Sequence, residues 1–332
     1  MTNDDSFNGN IIFDKDYVLV ILEKYLPIKN GGKISDLKIE KTNLDKIHSF
    51  MAKYLIKSTS SITELLAYGV IREEKTNLLI YESMKLANKN RITKQMPIYY
   101  DKHNDILFYL GVQGTELLQY IQENLAINDQ LIKDIGKKLA MLHIIPIPVD
   151  FYVSEFKLVY STIDPANIFS DKKTDEKWQF QDKIKNLFTK IVVLKDRLPS
   201  DKTICFSHGD FHPGNVIVER GNTTISIIDY SSVCLANYCL DLGIFLQQLQ
   251  FMCEKFIPQD EIMRFQKIFL ESYFEKRKIE MDISIRNNIY LFQALSSLHV
   301  AVFLLSTDNK EDLANRSISQ AEEFLENIIH SF

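Results

Sequence analysis

A change of period along the chain is the feature that most narrows its fold. Between residues 34 and 72 the apolar residues come in short runs, ISDLKIEK, HSFMAKYLIK and TELLAYGVIR, broken by polar turns such as TNLDK at 42–46. Short apolar runs bounded by polar turns predict strands. Residues 73–90 then read as a helix, and DILFYL at 105–110 returns to strand. After Gly111 and Gly114 the spacing becomes helical: Leu131, Ile135, Leu139 and Leu142 follow one another at four, four and three residues, which places them on one face of a helix. Further helices are predicted near 177–193, 242–255, 260–276, 285–305 and 310–329. A chain of 332 residues exceeds one minimal core and suits two lobes sharing a cleft. The predicted class is α+β, with a small β-rich N-terminal lobe at 1–110, a hinge at 111–114 and a larger, mainly helical lobe at 115–332.

Composition excludes several alternatives. With 45% hydrophobic and 25% charged residues the chain resembles an ordinary globular protein. A formal net charge of -5, with Lys and Arg scattered among Asp and Glu, gives no general attraction for a nucleic-acid backbone. The start, MTNDDSFNGN, has neither the basic end nor the apolar core of a secretory signal. Cys205, Cys234, Cys239 and Cys253 form no CxxC pair, and reduced thiols in a cytoplasmic protein are expected. The apolar stretch 289–305 is interrupted by Gln293, Ser296, Ser297 and His299, so it reads as a core helix rather than a membrane span.

The chemistry concentrates in 204–230, ICFSHGDFHPGNVIVERGNTTISIIDY. Two β-rich runs, 216–219 and 224–228, flank Gly221 and Asn222, a hairpin signal. Cross-strand partners then have numbers summing to about 443, or to about 444 with one more turn residue. In the second register Asn215 opposes Asp229, with Cβ atoms roughly 5 Å apart. Magnesium takes hard oxygen ligands and completes its shell with phosphates and water, so an amide and a carboxylate there could share one ion. Asp210 lies on a loop that Pro213 and Gly214 keep from becoming helix. It could accept a hydrogen bond from a substrate hydroxyl and hold it in line with a terminal phosphate. Asx turns alone would also explain Asp210 and Asn215, and the HxxxH spacing of His208 and His212 suits zinc only on a helix, which Pro213 opposes.

HGDFHPGN at 208–215, IIDY at 227–230 and LDLG at 240–243 together resemble the aminoglycoside phosphotransferase and choline kinase superfamily. The resemblance implies a bilobal protein-kinase-like fold, with Asp210 the catalytic aspartate, Asn215 and Asp229 the metal ligands, His208 a loop organiser and Asp241 the residue that steadies the loop. IGKKLAMLH at 135–143 resembles the family's early C-lobe helix. The family also implies a lysine on the third strand, paired with a helix glutamate. Glu82, between Leu78 and Leu86 at helical spacing, should seek a cation. TELLAYGVIR offers only Arg72 at its end. Lys53, inside HSFMAKYLIK with Lys57 on the same face, is therefore the expected phosphate-binding lysine, and Gly31 with Gly32 hints at a phosphate-covering turn.

The expected activity is Mg2+-dependent transfer of the terminal phosphate of ATP or GTP to a hydroxyl of a small molecule. The alternative is a catalytically weak, nucleotide-binding pseudokinase or regulatory module. A protein kinase fits less well, because the loop lacks the HRD pattern and no APE segment follows Asp229. A cationic aminoglycoside would call for carboxylates such as Glu254, Asp260, Glu261, Glu271 and Glu275. Choline would call for an aromatic cage, for which Tyr273, Phe274, Tyr290 and Phe292 are available.

Overall fold

Strands β1 (Ile34–Asn43), β2 (Phe50–Ser58), β3 (Ser61–Ile71), β4 (Met96–Asp101) and β5 (Ile106–Leu110) form one antiparallel sheet in the order β1-β2-β3-β5-β4. This computed structural model describes all residues except 1–8, 29–31, 44–48, 73–75, 124–127, 149–150, 152, 157–174, 200–202, 220–223, 307–309 and 330–332. The predicted turn residues Gly221 and Asn222, and Gly31, lie outside the described residues. The chain divides into two compact units, one made of Met1–Thr115, Val149–Tyr152 and Ile217–Ser231, the other of Glu116–Pro148, Val153–Val216 and Ser232–Phe332.

In the first unit, strand alternation sorts the sheet into two faces. Ala52, Tyr54 and Ile56 of β2, Ala67 and Ile71 of β3, and Ile106 and Phe108 of β5 are buried on one face with Ile12, Val18 and Leu22. Val18 and Leu22 belong to helix α1 (Lys15–Tyr25), which the sequence reading had passed over. Asp14 caps it, its carboxylate accepting from the Asp16 and Tyr17 N–H groups at 3.0 and 3.1 Å, which satisfies donors the helix leaves open. The register pairs Lys53 with Tyr68 and Tyr68 with Tyr109, so these three side chains share the opposite face. Helix α2 (Asn77–Lys89) follows β3 and buries Asn77, Ile80, Ser83, Met84 and Ala87.

A smaller sheet, in the order β6-β8-β9, joins β6 (Gly114–Glu116), β8 (Val216–Glu219) and β9 (Ile225–Ile227). Its anchor is the buried carboxylate of Glu219, which pairs with Lys94 and accepts from Thr224 Oγ1 at 2.6 Å and Ser226 Oγ at 2.7 Å. Burial pushes this carboxyl up, but the three donors outweigh it and hold the group below the ordinary carboxylate range.

The second unit is built from helices α3 (Leu117–Gln122), α4 (Asp129–His143), α5 (Asp175–Arg197), α6 (Cys239–Cys253), α7 (Gln259–Arg277), α8 (Ile283–Ser306) and α9 (Glu311–Ile329). The five helices predicted beyond residue 170 all form, each within a few residues of its expected ends. Within this unit β7 (Ile204–Ser207) pairs antiparallel with β10 (Cys234–Asn237). Gly136 lets α4 approach α7 closely, since a Cβ there would lie 2.5 Å from the Phe269 carbonyl oxygen. Helix α8 is long and apolar enough to cross a membrane, but 78% of its apolar window is buried inside the protein, which makes it a core helix. All four cysteines are free and buried.

Candidate active site

The loop after β7 is held from beneath by one carboxylate. Asp241, in the first turn of α6 and completely buried, accepts from the His208 backbone N–H through Oδ2 at 2.7 Å and from the Gly209 N–H through Oδ1 at 2.8 Å. His143 Nε2, at the end of α4, lies 2.9 Å from the same Oδ2, and Tyr273 Oη lies 2.7 Å from His143 Nδ1. A carboxylate only accepts, so Nε2 carries the proton and Nδ1 accepts from the Tyr273 hydroxyl, the arrangement of a neutral imidazole. Burial lowers the histidine pKa by more than the Asp241 contact raises it. Burial acts to raise the Asp241 carboxyl, but the hydrogen bonds from His143 and from the His208 N–H outweigh it and hold the group low.

The loop conformation depends on Gly209. Its φ is +81°, and a Cβ would meet the Ser232 carbonyl oxygen at 1.9 Å, so a side chain is excluded on both counts. Further along, Phe211 is fully buried and stacks on Phe245 of α6 with ring centroids 5.1 Å apart. Between these anchors Asp210 is left with its side chain 47% exposed. Asn215, only 7% exposed, donates Nδ2 to the Asp210 carbonyl oxygen at 2.9 Å. With its NH2 group so used, Asn215 keeps Oδ1 as the oxygen that could take a metal ion. His208 is buried, and its ring lies edge-on to Phe211 with centroids 5.9 Å apart. His212 Nδ1 accepts from the Gly214 N–H at 3.1 Å in a 3-10 turn, so His208 and His212 do not share an α-helical face.

Asp229 belongs to the first unit. The Glu219 N–H donates to the Thr224 carbonyl oxygen at 3.0 Å, a pair summing to 443. Strand β9 ends at Ile227. Asp229 follows with φ +61°, a left-handed conformation that Asp tolerates better than most residues, and its Oδ1 accepts from the Ser231 N–H at 3.2 Å. The carboxylate is exposed.

The expected lysine–glutamate pair is not formed. Lys53 Nζ lies 3.4 Å from Glu40 Oε2, its direct neighbour on β1, and Lys57 lies 3.9 Å from Asp36. Glu82 pairs with Lys85 on its own helix at 3.2 Å. The reason is the orientation of α2: its buried face runs through Asn77, Ile80, Met84 and Ala87, while Leu78, part of the stripe assumed for Glu82, is 49% exposed.

Over residues 92–280, more than half its length, the chain matches the phosphotransferase enzyme family. It belongs to that family. No curated protein matches it by sequence. By structure this phosphotransferase is similar to a choline kinase from Cryptosporidium parvum Iowa II, at TM-score 0.68 and 16% identity over 96% of this chain and 97% of that one. It is also similar to a spectinomycin phosphotransferase solved with ADP and spectinomycin, at TM-score 0.61 and 15% identity over 95% and 98%. A third similar structure is a microcompartment-associated aminopropanol kinase, at TM-score 0.61 and 13% identity over 94% and 95%. The structural likeness shows the kinase-like α+β fold, and the family match shows a phosphotransferase.

Several of the residues considered for the acceptor have partners of their own. Glu254 pairs with Arg316, and Glu261 with Arg264. Tyr273 is fully buried against His143, and Phe274 is 7% exposed, so neither can form an open cage. The second unit does contain a cavity of about 540 Å³ walled by Phe156, Phe292 and Leu235, with Glu155, Asp196 and Asn288 as polar lining. It reaches Ile204, at the far end of β7 from the His208 loop.

Proposed function

We propose that the chain transfers the terminal phosphate of ATP or GTP to a hydroxyl of a small molecule, an aminoglycoside-like or choline-like alcohol, with Asp210 as the catalytic base. The observation that carries this reading is the contrast between Asp210 and its surroundings. The loop backbone is fixed by a buried carboxylate, and Asn215 and Phe211 are buried, yet the Asp210 side chain is 47% exposed. A carboxylate presented by a rigid backbone can accept the acceptor proton and hold the attacking oxygen in line. Positioning of this kind is most of what phosphoryl transfer asks of protein groups.

Asn215 Oδ1 and the Asp229 carboxylate are the oxygens that would hold Mg2+, and both are hard donors of the kind that ion takes. When bound, Mg2+ supplies charge neutralisation on the phosphates. Asn215 is fixed by its bond to Asp210, and the left-handed backbone at Asp229 leaves its carboxylate exposed. A cytoplasmic location accords with the four free thiols.

The test is acceptor-dependent release of nucleoside diphosphate, screened over hydroxylated metabolites and antibiotics, with wild type and Asp210→Ala side by side. A hundredfold or greater loss of turnover in the variant, with nucleotide affinity retained, is expected. Wild-type turnover by Asp210→Ala would remove the assignment.

A further inference from the structure

Strand β9 is three residues long, Ile225–Ile227, and two residues beyond its end the chain presents the Asp229 carboxylate from a left-handed backbone. So short a strand has few backbone bonds with which to fix its place. A slip of two residues along β8 preserves which side chains face inward, and it would displace Asp229 by roughly 7 Å.

Buried polar groups exclude that slip. Thr224 and Ser226, two residues apart, share a face of the hairpin with Glu219, whose N–H pairs with the Thr224 carbonyl oxygen. Both hydroxyls donate to the buried Glu219 carboxylate, at 2.6 and 2.7 Å, and the exposed Lys94 ammonium pairs with it. Ser226 is completely buried and uses its hydroxyl twice: Oγ donates to Glu219 Oε1 and accepts from the Lys94 backbone N–H at 2.9 Å. On the edge of β9 away from β8, the Ile227 N–H donates to the Ile92 carbonyl oxygen at 3.4 Å. Residues 92–94 are held in turn to the end of α2, where the Ile92 N–H donates to the Ala87 carbonyl oxygen at 2.9 Å and Asn88 Nδ2 to that of Thr93 at 3.2 Å. Beyond β9, Tyr230 is completely buried and donates its hydroxyl to the Ile227 carbonyl oxygen at 3.2 Å.

A buried carboxylate is a costly way to add stability but an effective way to select one register, because a shifted strand takes its donors away. We propose that Glu219 is a positioning residue for Asp229, acting through Ser226 to fix the register of β9 and with it the place of that carboxylate. The assignment rests on Asp229 being a ligand of Mg2+, as proposed above.

The test reads Mg2+ without turnover: in protein saturated with ADP, it is the Mg2+ concentration that gives half of the maximal rise in melting temperature. Ser226→Ala removes both hydroxyl bonds with little change of shape, and should raise that concentration about tenfold, the scale on which loss of an outer partner of a metal ligand is felt. Glu219→Gln, which keeps the shape and one acceptor oxygen, should raise it less. Val18→Ala, which hollows the packing of α1 on the five-stranded sheet, should lower the melting temperature of the ADP-bound protein and leave the Mg2+ concentration at its wild-type value. Asp229→Asn should raise the concentration as well, and adding Ser226→Ala to it should raise it no further, because both changes act on one carboxylate. Additive effects of that pair, or a wild-type value in Ser226→Ala beside a raised one in Asp229→Asn, would overturn the positioning role and leave Asp229 as a ligand. An equal rise in Val18→Ala would also overturn it, since lost stability alone would then account for the effect. A wild-type value in Asp229→Asn would remove both assignments.

Discussion

His143 Nε2 and Asp241 Oδ2 lie 2.9 Å apart, and neither side chain has any solvent exposure. The contact joins the end of α4 to the start of α6, and the carboxylate it orients holds the backbone of His208 and Gly209. With Asp210 as the proposed base, the histidine would act on it through another residue, as a positioning residue. Its loss should be felt as misplacement of the base, not as loss of a group that touches substrate.

His143→Ala is accordingly expected to lower kcat about tenfold to a hundredfold, the scale on which small displacements of a catalytic group are felt. The KM for nucleotide should stay within about twofold, and His143→Gln, which can still donate to Asp241, should recover part of the rate. Equal changes in kcat and in nucleotide KM would show that the effect is not confined to the loop.

The same pair sets a pH dependence of stability. The folded-state pKa of His143 is depressed by burial below the ordinary value of 6.5, so in acid the unfolded chain binds a proton that the folded chain refuses. Stability should therefore fall as pH drops below about 6.5, down to the depressed folded value. Asp241, also depressed, adds stability that is present above its unfolded pKa and lost as pH falls towards its lower folded value, so both groups act in the same direction. Urea midpoints measured between pH 8 and 5 should decline, and less steeply in His143→Gln. A flat profile in wild type would contradict a neutral buried imidazole.

At Gly209 the prediction is steric. A methyl group would meet the Ser232 carbonyl oxygen at 1.9 Å with φ at +81°, so Gly209→Ala must shift either the loop or the 3-10 turn that ends at Ser232. The strain alone costs on the order of 1–3 kcal/mol, and the shift moves Asp210. Chemical denaturation should show the lost stability, and turnover should fall by more than the folded fraction explains.

Much of this fold was legible because strands and helices print different periods. β1, β2, β3 and β5 and the helices beyond residue 170 stand close to where alternation and i, i+3, i+4 spacing put them. Helix α1 was missed because only two of its residues, Val18 and Leu22, are fully buried, too short a stripe to register without its cap. The cationic pairing failed for a different reason. Which carboxylate a strand lysine meets depends on strand register, and the register puts Glu40 directly opposite Lys53. Asn77 gave no signal at all, since a buried amide at a helix start looks in sequence like any polar residue before an apolar run. The non-helical course of the loop was legible because Pro213 and Gly214 oppose an α-helix whatever surrounds them, and a 3-10 turn forms there.

Asp229 offers the sharpest test of the metal reading, because its charge and its backbone can be varied separately. With φ at +61°, the position accepts Asn nearly as well as Asp, whereas Ala there is strained. Asp229→Asn should thus keep the stability of wild type while removing the carboxylate, and the Mg2+ concentration needed for half-maximal turnover should rise about tenfold or more. Asp229→Ala should show the same shift together with a lower urea midpoint. Asn215→Ala loses a neutral oxygen and the bond to the Asp210 carbonyl, so it should raise the Mg2+ requirement less and lower kcat as well. An unchanged Mg2+ titration in Asp229→Asn would place the ion elsewhere, because that substitution alters the charge and leaves the chain conformation alone.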